Sequence, residues 1–182
     1  MLLFDETATG KLLQYYFENP KAQTHLRDIA KKAGISAASA SIICKKLLNE
    51  GFLEKKKIGN SAIYSLSANN NCLKRLKVAW FLQKIIPLIE GKFDERVYSV
   101  CLFGSFAAGE YDEKSDVDIL VISDMGKKDV FAAFSQARKK LKNDLSIKIL
   151  GTSEWKKIKD EKSRFYIELI AKHVVLFGNG LV

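Results

Sequence analysis

Two short apolar runs, VYSVCLF at 97–103 and VDILVIS at 117–123, limit most sharply what this chain can build. Both are short and dominated by apolar residues, so each reads as a buried strand. The segment between them opens with Gly104-Ser105 and closes with Asp116, and Asp118 follows one residue apart, inside the second run. Side chains alternate along a strand, so the two aspartates share a face. Like charges crowded there are costly unless a cation neutralises them.

The same reading extends downstream. LSIKIL (145–150) is a third strand, and the amphipathic stretch KDVFAAFSQARKKLK is one helix between the second and third. Two short helices follow, near Ser153–Lys159 and Lys162–Lys172, and HVVLFG forms a closing strand. Beyond Gly91 the pattern is therefore α/β.

Upstream, the period is helical. Leu12, Leu13, Tyr16 and Phe17 make an apolar stripe from about Lys11 that Pro20 ends. Thr24 is read as the N-cap of a second helix, HLRDIAKKAG, with Leu26, Ile29 and Ala30 inward and Gly34 closing it. Ser36 caps a third helix to about Asn49, carrying Ile43, Leu47 and Leu48, and Gly51 stops it. FLEKKK and AIYSLS then alternate with period two around the turn IGNS, a hairpin signal. The triplet Asn69–Asn70–Asn71 marks a boundary. The helix CLKRLKVAWFLQKIIPLIEG beyond it is apolar on two sides: Leu73, Leu76 and Trp80 on one, Val78, Leu82, Ile85 and Ile89 on the other. Such a helix packs between two partners, either the two domains or a second subunit of a homodimer. Pro87 is expected to kink or end it. Three segments result: 1–70, a connecting helix at 71–92, and 93–182.

Composition narrows the function classes. An apolar content of 47% and a mean hydropathy of −0.07 suit an ordinary globular protein. No apolar run approaches the roughly 20 residues of a membrane span, so no membrane partner is expected. MLLFDETATG lacks the charge and length of a signal peptide. Cys44, Cys72 and Cys101 are odd in number and without C-x-x-C spacing, which points to a reducing cytoplasm. With only His25 and His173, an imidazole-rich metal site is not indicated. The net charge of +9 fits a polyanionic partner, nucleotide or nucleic acid, but is split +4 over residues 1–70 and +5 over the remainder, so it locates no face.

The order helix, helix, tight turn, helix, hairpin resembles the winged helix-turn-helix family, carried by GISAASASIICKKLLNEGFLEKKKIGNSAIYSL. The resemblance implies DNA binding, with the third helix in the major groove and the wing on the backbone. The residues at stake are Ala37, Ala38, Ser39 and Ser41 on the helix, and Lys45, Lys46, Lys55, Lys56 and Lys57 for phosphates. The helix lacks the Arg, Asn or Gln that read base edges bidentately, and Ile42 stands where the family often has a basic residue.

For the aspartates, oxygen ligands suit a hard cation, Mg²⁺ or Mn²⁺. Gly104 allows a phosphate close to the backbone, and Ser105 adds a hydroxyl and an amide. Gly104, Ser105, Gly109, Ser115, Asp116 and Asp118, in the pattern G-S-x10-D-x-D before an apolar strand, resemble the signature of polymerase-beta-like nucleotidyltransferases, most of all their minimal members and the aminoglycoside nucleotidyltransferases. The resemblance covers about 97–178. It implies an α+β nucleotidyltransferase fold with a mixed sheet, preceded here by the small mainly-α winged-helix domain. It also implies transfer of a nucleoside monophosphate from an NTP, ATP by default, to a hydroxyl. Asp116 and Asp118 would be the catalytic metal ligands, with Gly104 and Ser105 on the nucleotide. The family's third carboxylate aligns with Lys148, which would either pair with an aspartate and displace the metal or bind the triphosphate. Basic residues common after Gly-Ser in the family are replaced by Phe106 and Ala108. Minimal members often act as antitoxins beside a toxin partner. A DNA-binding regulator with an inert transferase domain is therefore the competing reading. Glu110, Asp112 and Glu113 are read as solvated charges.

Overall fold

The computed structural model describes residues 7–59 and 61–182, and divides the chain into two units, one ending at Trp80 and one running from Phe81 to Val182. The first six residues of the opening decapeptide, and Asn60 of the hairpin turn, lie outside the described residues.

In the first unit, α1 (Ala8–Glu18) starts where the Thr7 hydroxyl accepts a hydrogen bond from the Gly10 N–H at 2.9 Å. It buries Leu12, Leu13, Tyr16 and Phe17, the stripe expected from the sequence. Thr24 and His25 form a short strand, β1, paired antiparallel with Tyr64 and Ile63, and do not begin the second helix. The expectation of a Thr24 cap is corrected: a buried β-branched residue suits a strand, and its hydroxyl is bonded to that of Tyr15 at 2.9 Å. Helix α2 (Leu26–Ala33) ends at Gly34 in the left-handed region, and α3 (Ala37–Asn49) starts at Ser36, whose Oγ accepts from the Ser39 N–H at 3.0 Å. β2 (Leu53–Ile58) and β3 (Ser61–Leu66) form the hairpin, giving a sheet of order β1-β3-β2. The buried Tyr16 hydroxyl donates to the Tyr64 carbonyl at 3.1 Å, tying α1 to that sheet.

Helix α4 (Asn71–Ile89) is capped by Asn70, whose Oδ1 accepts from the Leu73 N–H at 2.9 Å. Pro87 sits in its last turn, and the division between units falls within it, after Trp80.

The second unit is built on a mixed sheet of order β6-β5-β4-β7. β4 (Val97–Phe103) is antiparallel to both β5 (Val117–Ser123) and β7 (His173–Gly178), while β5 and β6 (Leu145–Leu150) run parallel. Ile119 to Ile122 are all fully buried, so β5 is covered on both faces, as its unbroken apolar run demands. Helices α8 (Thr152–Asp160) and α9 (Arg164–Ala171) cover one face, where Trp155 and Leu169 pack with Cys101, Leu120 and Ile122.

Two elements differ from the sequence reading. The expected single helix over 128–142 is two, α6 (Lys127–Ala133) and α7 (Ser135–Lys140). They are broken at Phe134, which is fully buried 5.5 Å from the ring of Phe93. Gly104–Ala108 forms a short helix, α5, between β4 and β5. Among the described residues, no helix is long and apolar enough to cross a membrane.

Candidate active site

Asp118 is the second residue of β5, opposite Phe103 on β4 and Ser146 on β6. The neighbouring strands thus hold its backbone on both sides, and its side chain is half-buried. The next constraint comes from Gly104, the first residue of α5, which has φ +68°. A Cβ at Gly104 would stand 2.5 Å from the Asp118 Oδ2. Glycine is therefore needed twice, for its backbone angle and for the carboxylate lying against its Cα. Burial holds the Asp118 carboxyl above the usual carboxylate range; the Asp116 charge adds to the rise, and a hydrogen bond from Ser146 opposes it. Asp116 precedes the strand and is exposed.

The loop leading into the pair is ordered by residues read as solvated charges. The Ser115 hydroxyl donates to Asp112 Oδ1 at 3.2 Å and accepts from the Asp112 N–H at 2.9 Å, while the Lys114 N–H donates to the same Oδ1. Asn143 donates to the Ser115 carbonyl at 2.8 Å, and the Val117 N–H to the Asp144 carbonyl at 2.8 Å. Asp112 is thus a turn organiser, and Glu110 pairs with Lys172 at 3.4 Å.

A cleft of about 410 Å³ opens beside Gly104 and Ser105, walled by Phe103, Glu110, Phe165, Glu168 and Lys172, while Asp116, Asp118 and Lys148 do not line it. Phe106, where the resembled family often has a basic residue, is a core anchor here: it is 1% exposed and its ring stacks on Tyr111 at 4.0 Å. Phe165 and Lys172 were missed from sequence; their signal was the helical FYIELIAKH just before the last strand.

Lys148 lies opposite Leu120, one pleat beyond Ser146, so the residue directly across from Asp118 is the serine. Its ammonium stands 3.7 Å from the centroid of the Phe165 ring. Among the described residues it makes no ion pair with Asp116 or Asp118, and no group of three or more His, Cys, Asp or Glu side chains forms a metal cage. Two adjacent carboxylates, one of them half-buried and short of a cationic neighbour, fit a hard divalent ion that takes its other ligands from water and phosphate.

The residues singled out for DNA lie in the first unit. Ala37, Ala38, Ser41, Lys45 and Lys46 are exposed on α3, and Ile42 between them is 71% exposed. Ser39 is half-buried and its hydroxyl accepts from that of Ser36 at 2.9 Å, so it serves the helix start. Lys46 approaches Glu50 at 4.0 Å. Lys55, Lys56 and Lys57 are exposed on β2, with the Lys55 ammonium 5.8 Å from the Tyr64 ring centroid.

A family model described as nucleotidyltransferase domain matches residues 82–178. The chain belongs to this nucleotidyltransferase family. Two relatives from Methanocaldococcus jannaschii, both named as protein adenylyltransferases, share shorter stretches with it. One is 36% identical over 44 residues, 24% of this chain and 44% of the relative. The other is 45% identical over 42 residues, 23% and 38% respectively. The matched stretches thus span less than half the length of these curated relatives. Among solved structures, a toxin–antitoxin with AMP-PNP is 18% identical, with a TM-score of 0.37 over 54% of this chain and 73% of that one. A tri-AMPylated Shewanella oneidensis HEPN toxin in complex with MNT antitoxin is 15% identical, with a TM-score of 0.34 over 56% and 73%.

Proposed function

We propose that this nucleotidyltransferase moves a nucleoside monophosphate from ATP to a hydroxyl of an acceptor, with a protein as the acceptor class. The observation that carries the reading is the half-buried Asp118 carboxylate lying against Gly104, a glycine that itself lines an open cleft. Membership of the family supports the reaction type, and the relatives' names support adenylyl and protein as donor and acceptor.

In this reading Gly104 and Ser105 take the triphosphate at the cleft, and Lys148 offers it a positive charge. Asp116 and Asp118 would hold Mg²⁺ or Mn²⁺, which would supply charge neutralisation at the phosphates. The acceptor oxygen forms a bond to the α-phosphorus, the bond from that phosphorus to the bridging oxygen breaks, and pyrophosphate leaves. No third carboxylate accompanies the pair among the described residues, so the hydroxyl proton passes to water.

The test is transfer of label from α-³²P-ATP in the presence of Mg²⁺, comparing the wild type with Asp116→Ala plus Asp118→Ala. Labelling is expected only in the wild type. Equal labelling in both removes the assignment.

The order of elements in the first unit supports a winged helix over residues 1–70, followed by a connecting helix at 71–92 and the transferase domain at 93–182. Its exposed wing lysines favour duplex DNA as a second partner. Lys148, at the position that the resemblance gives the family's third carboxylate, favours the alternative, a DNA-binding regulator or antitoxin-like protein whose transferase domain is inert. DNA binding without Mg²⁺-dependent nucleotide affinity would select it. A reducing cytoplasm suits the three free cysteines.

A further inference from the structure

We propose that Phe165 is a positioning residue that holds Lys148 off the aspartate pair and so keeps Asp116 and Asp118 open to a divalent cation. The inference rests on the metal-binding reading of that pair.

Asp118 and Ser146 are register partners on parallel strands, and Lys148 lies two residues beyond Ser146, so all three side chains stand on one face. One strand spacing of about 4.8 Å across and two residues of about 3.3 Å each along the strand separate Lys148 from Asp118 at the backbone. An extended lysine bridges that gap. A cation within reach of two carboxylates is expected on them, above all where one is half-buried and the other repels it.

The ammonium instead sits over the face of Phe165. A ring face attracts a cation through its quadrupole and leaves the carboxylate charge uncancelled. The ring is itself held in place. Its neighbour Phe103 meets it edge-on at 6.1 Å, and Phe165 packs on the cluster containing Leu120 and Leu169. Phe103 is in turn the register partner of Asp118. The strand that presents the carboxylate is thus paired with the residue that braces the lysine's holder.

The experiment measures Mn²⁺ affinity by electron paramagnetic resonance, with Mn²⁺ alone and no nucleotide, in the full chain. Phe165→Leu keeps apolar bulk and removes the ring face. It is expected to weaken Mn²⁺ binding about two- to fivefold, from the strength of an exposed cation–π contact. Phe165→Tyr keeps the face and binds as the wild type does. Lys148→Met binds at least as tightly as the wild type, and adding it to Phe165→Leu restores the lost affinity. Unchanged binding in Phe165→Leu, or failure of Lys148→Met to restore it, overturns the inference. A fold defect in Phe165→Leu is exposed by the double variant, because Lys148→Met would then rescue nothing. If Asp118→Asn leaves wild-type Mn²⁺ binding unchanged, the metal reading itself fails, an outcome distinct from the others.

Discussion

The two units place their candidate functional residues in opposite physical circumstances. In the first, Lys55, Lys56 and Lys57 stand in water on β2, and Ser41, Lys45 and Lys46 stand in water on α3. None of these side chains is buried, and a solvated surface would look the same. In the second, Asp118 is held where its ionised form is disfavoured, against a glycine in a left-handed conformation. A fold keeps a costly arrangement only when its surroundings over-determine it, and such arrangements cluster where chemistry is done. The second unit therefore carries a positive physical mark of a site, and the first carries only composition.

The largest effect is expected from Asp118→Ala, with nucleotide transfer falling about 100-fold or more while circular dichroism stays unchanged. Retained transfer would mean that the cost at Asp118 has some other cause. Gly104→Ala should lower stability by about 1–2 kcal/mol through its left-handed backbone angle, roughly 2–8 °C in melting temperature. It should also displace the Asp118 carboxylate. A melting curve matching wild type would contradict the left-handed angle at Gly104.

For the first unit, Lys55→Glu plus Lys57→Glu should lower duplex DNA affinity about tenfold and reduce the salt slope by about two. Its melting temperature should barely move, because both side chains are exposed. Unchanged affinity and slope would remove the wing from the DNA assignment. The smallest effect is expected from Asp118→Asn without metal. A carboxyl whose folded pKa is raised costs stability once ionised, and that cost disappears as pH falls below the folded pKa. The variant should therefore melt about 1–2 °C above wild type at pH 7, with the gain vanishing in acid. A gain that persists below pH 3 would point away from ionisation.

Much of the fold was legible along the chain. β4, β5 and β6 run over 97–103, 117–123 and 145–150, because a continuous apolar run bounded by turn residues and charges has few alternatives. The cap at Ser36, and Gly34 at the end of α2, followed from a side chain that bonds its own backbone and a residue that tolerates a positive φ. The break at Phe134 was not legible, since AFSQ contains no residue that disfavours a helix strongly. There the burial of one ring overrode local preference. Thr24 went the same way, because its strand partner Tyr64 is 40 residues distant in sequence.

Spacing and periodicity are local properties, so Gly104-Ser105 and the two aspartates could be set at the ends of a pair of buried strands from the chain alone. Which residue faces those aspartates was decided by tertiary structure alone. Register across β5 and β6 sets Ser146 beside Asp118 and Lys148 one pleat further on. The packing of α9 supplies the Phe165 ring on which the lysine rests. Neither fact is written in any single segment, because strand register and helix docking depend on how the whole core closes.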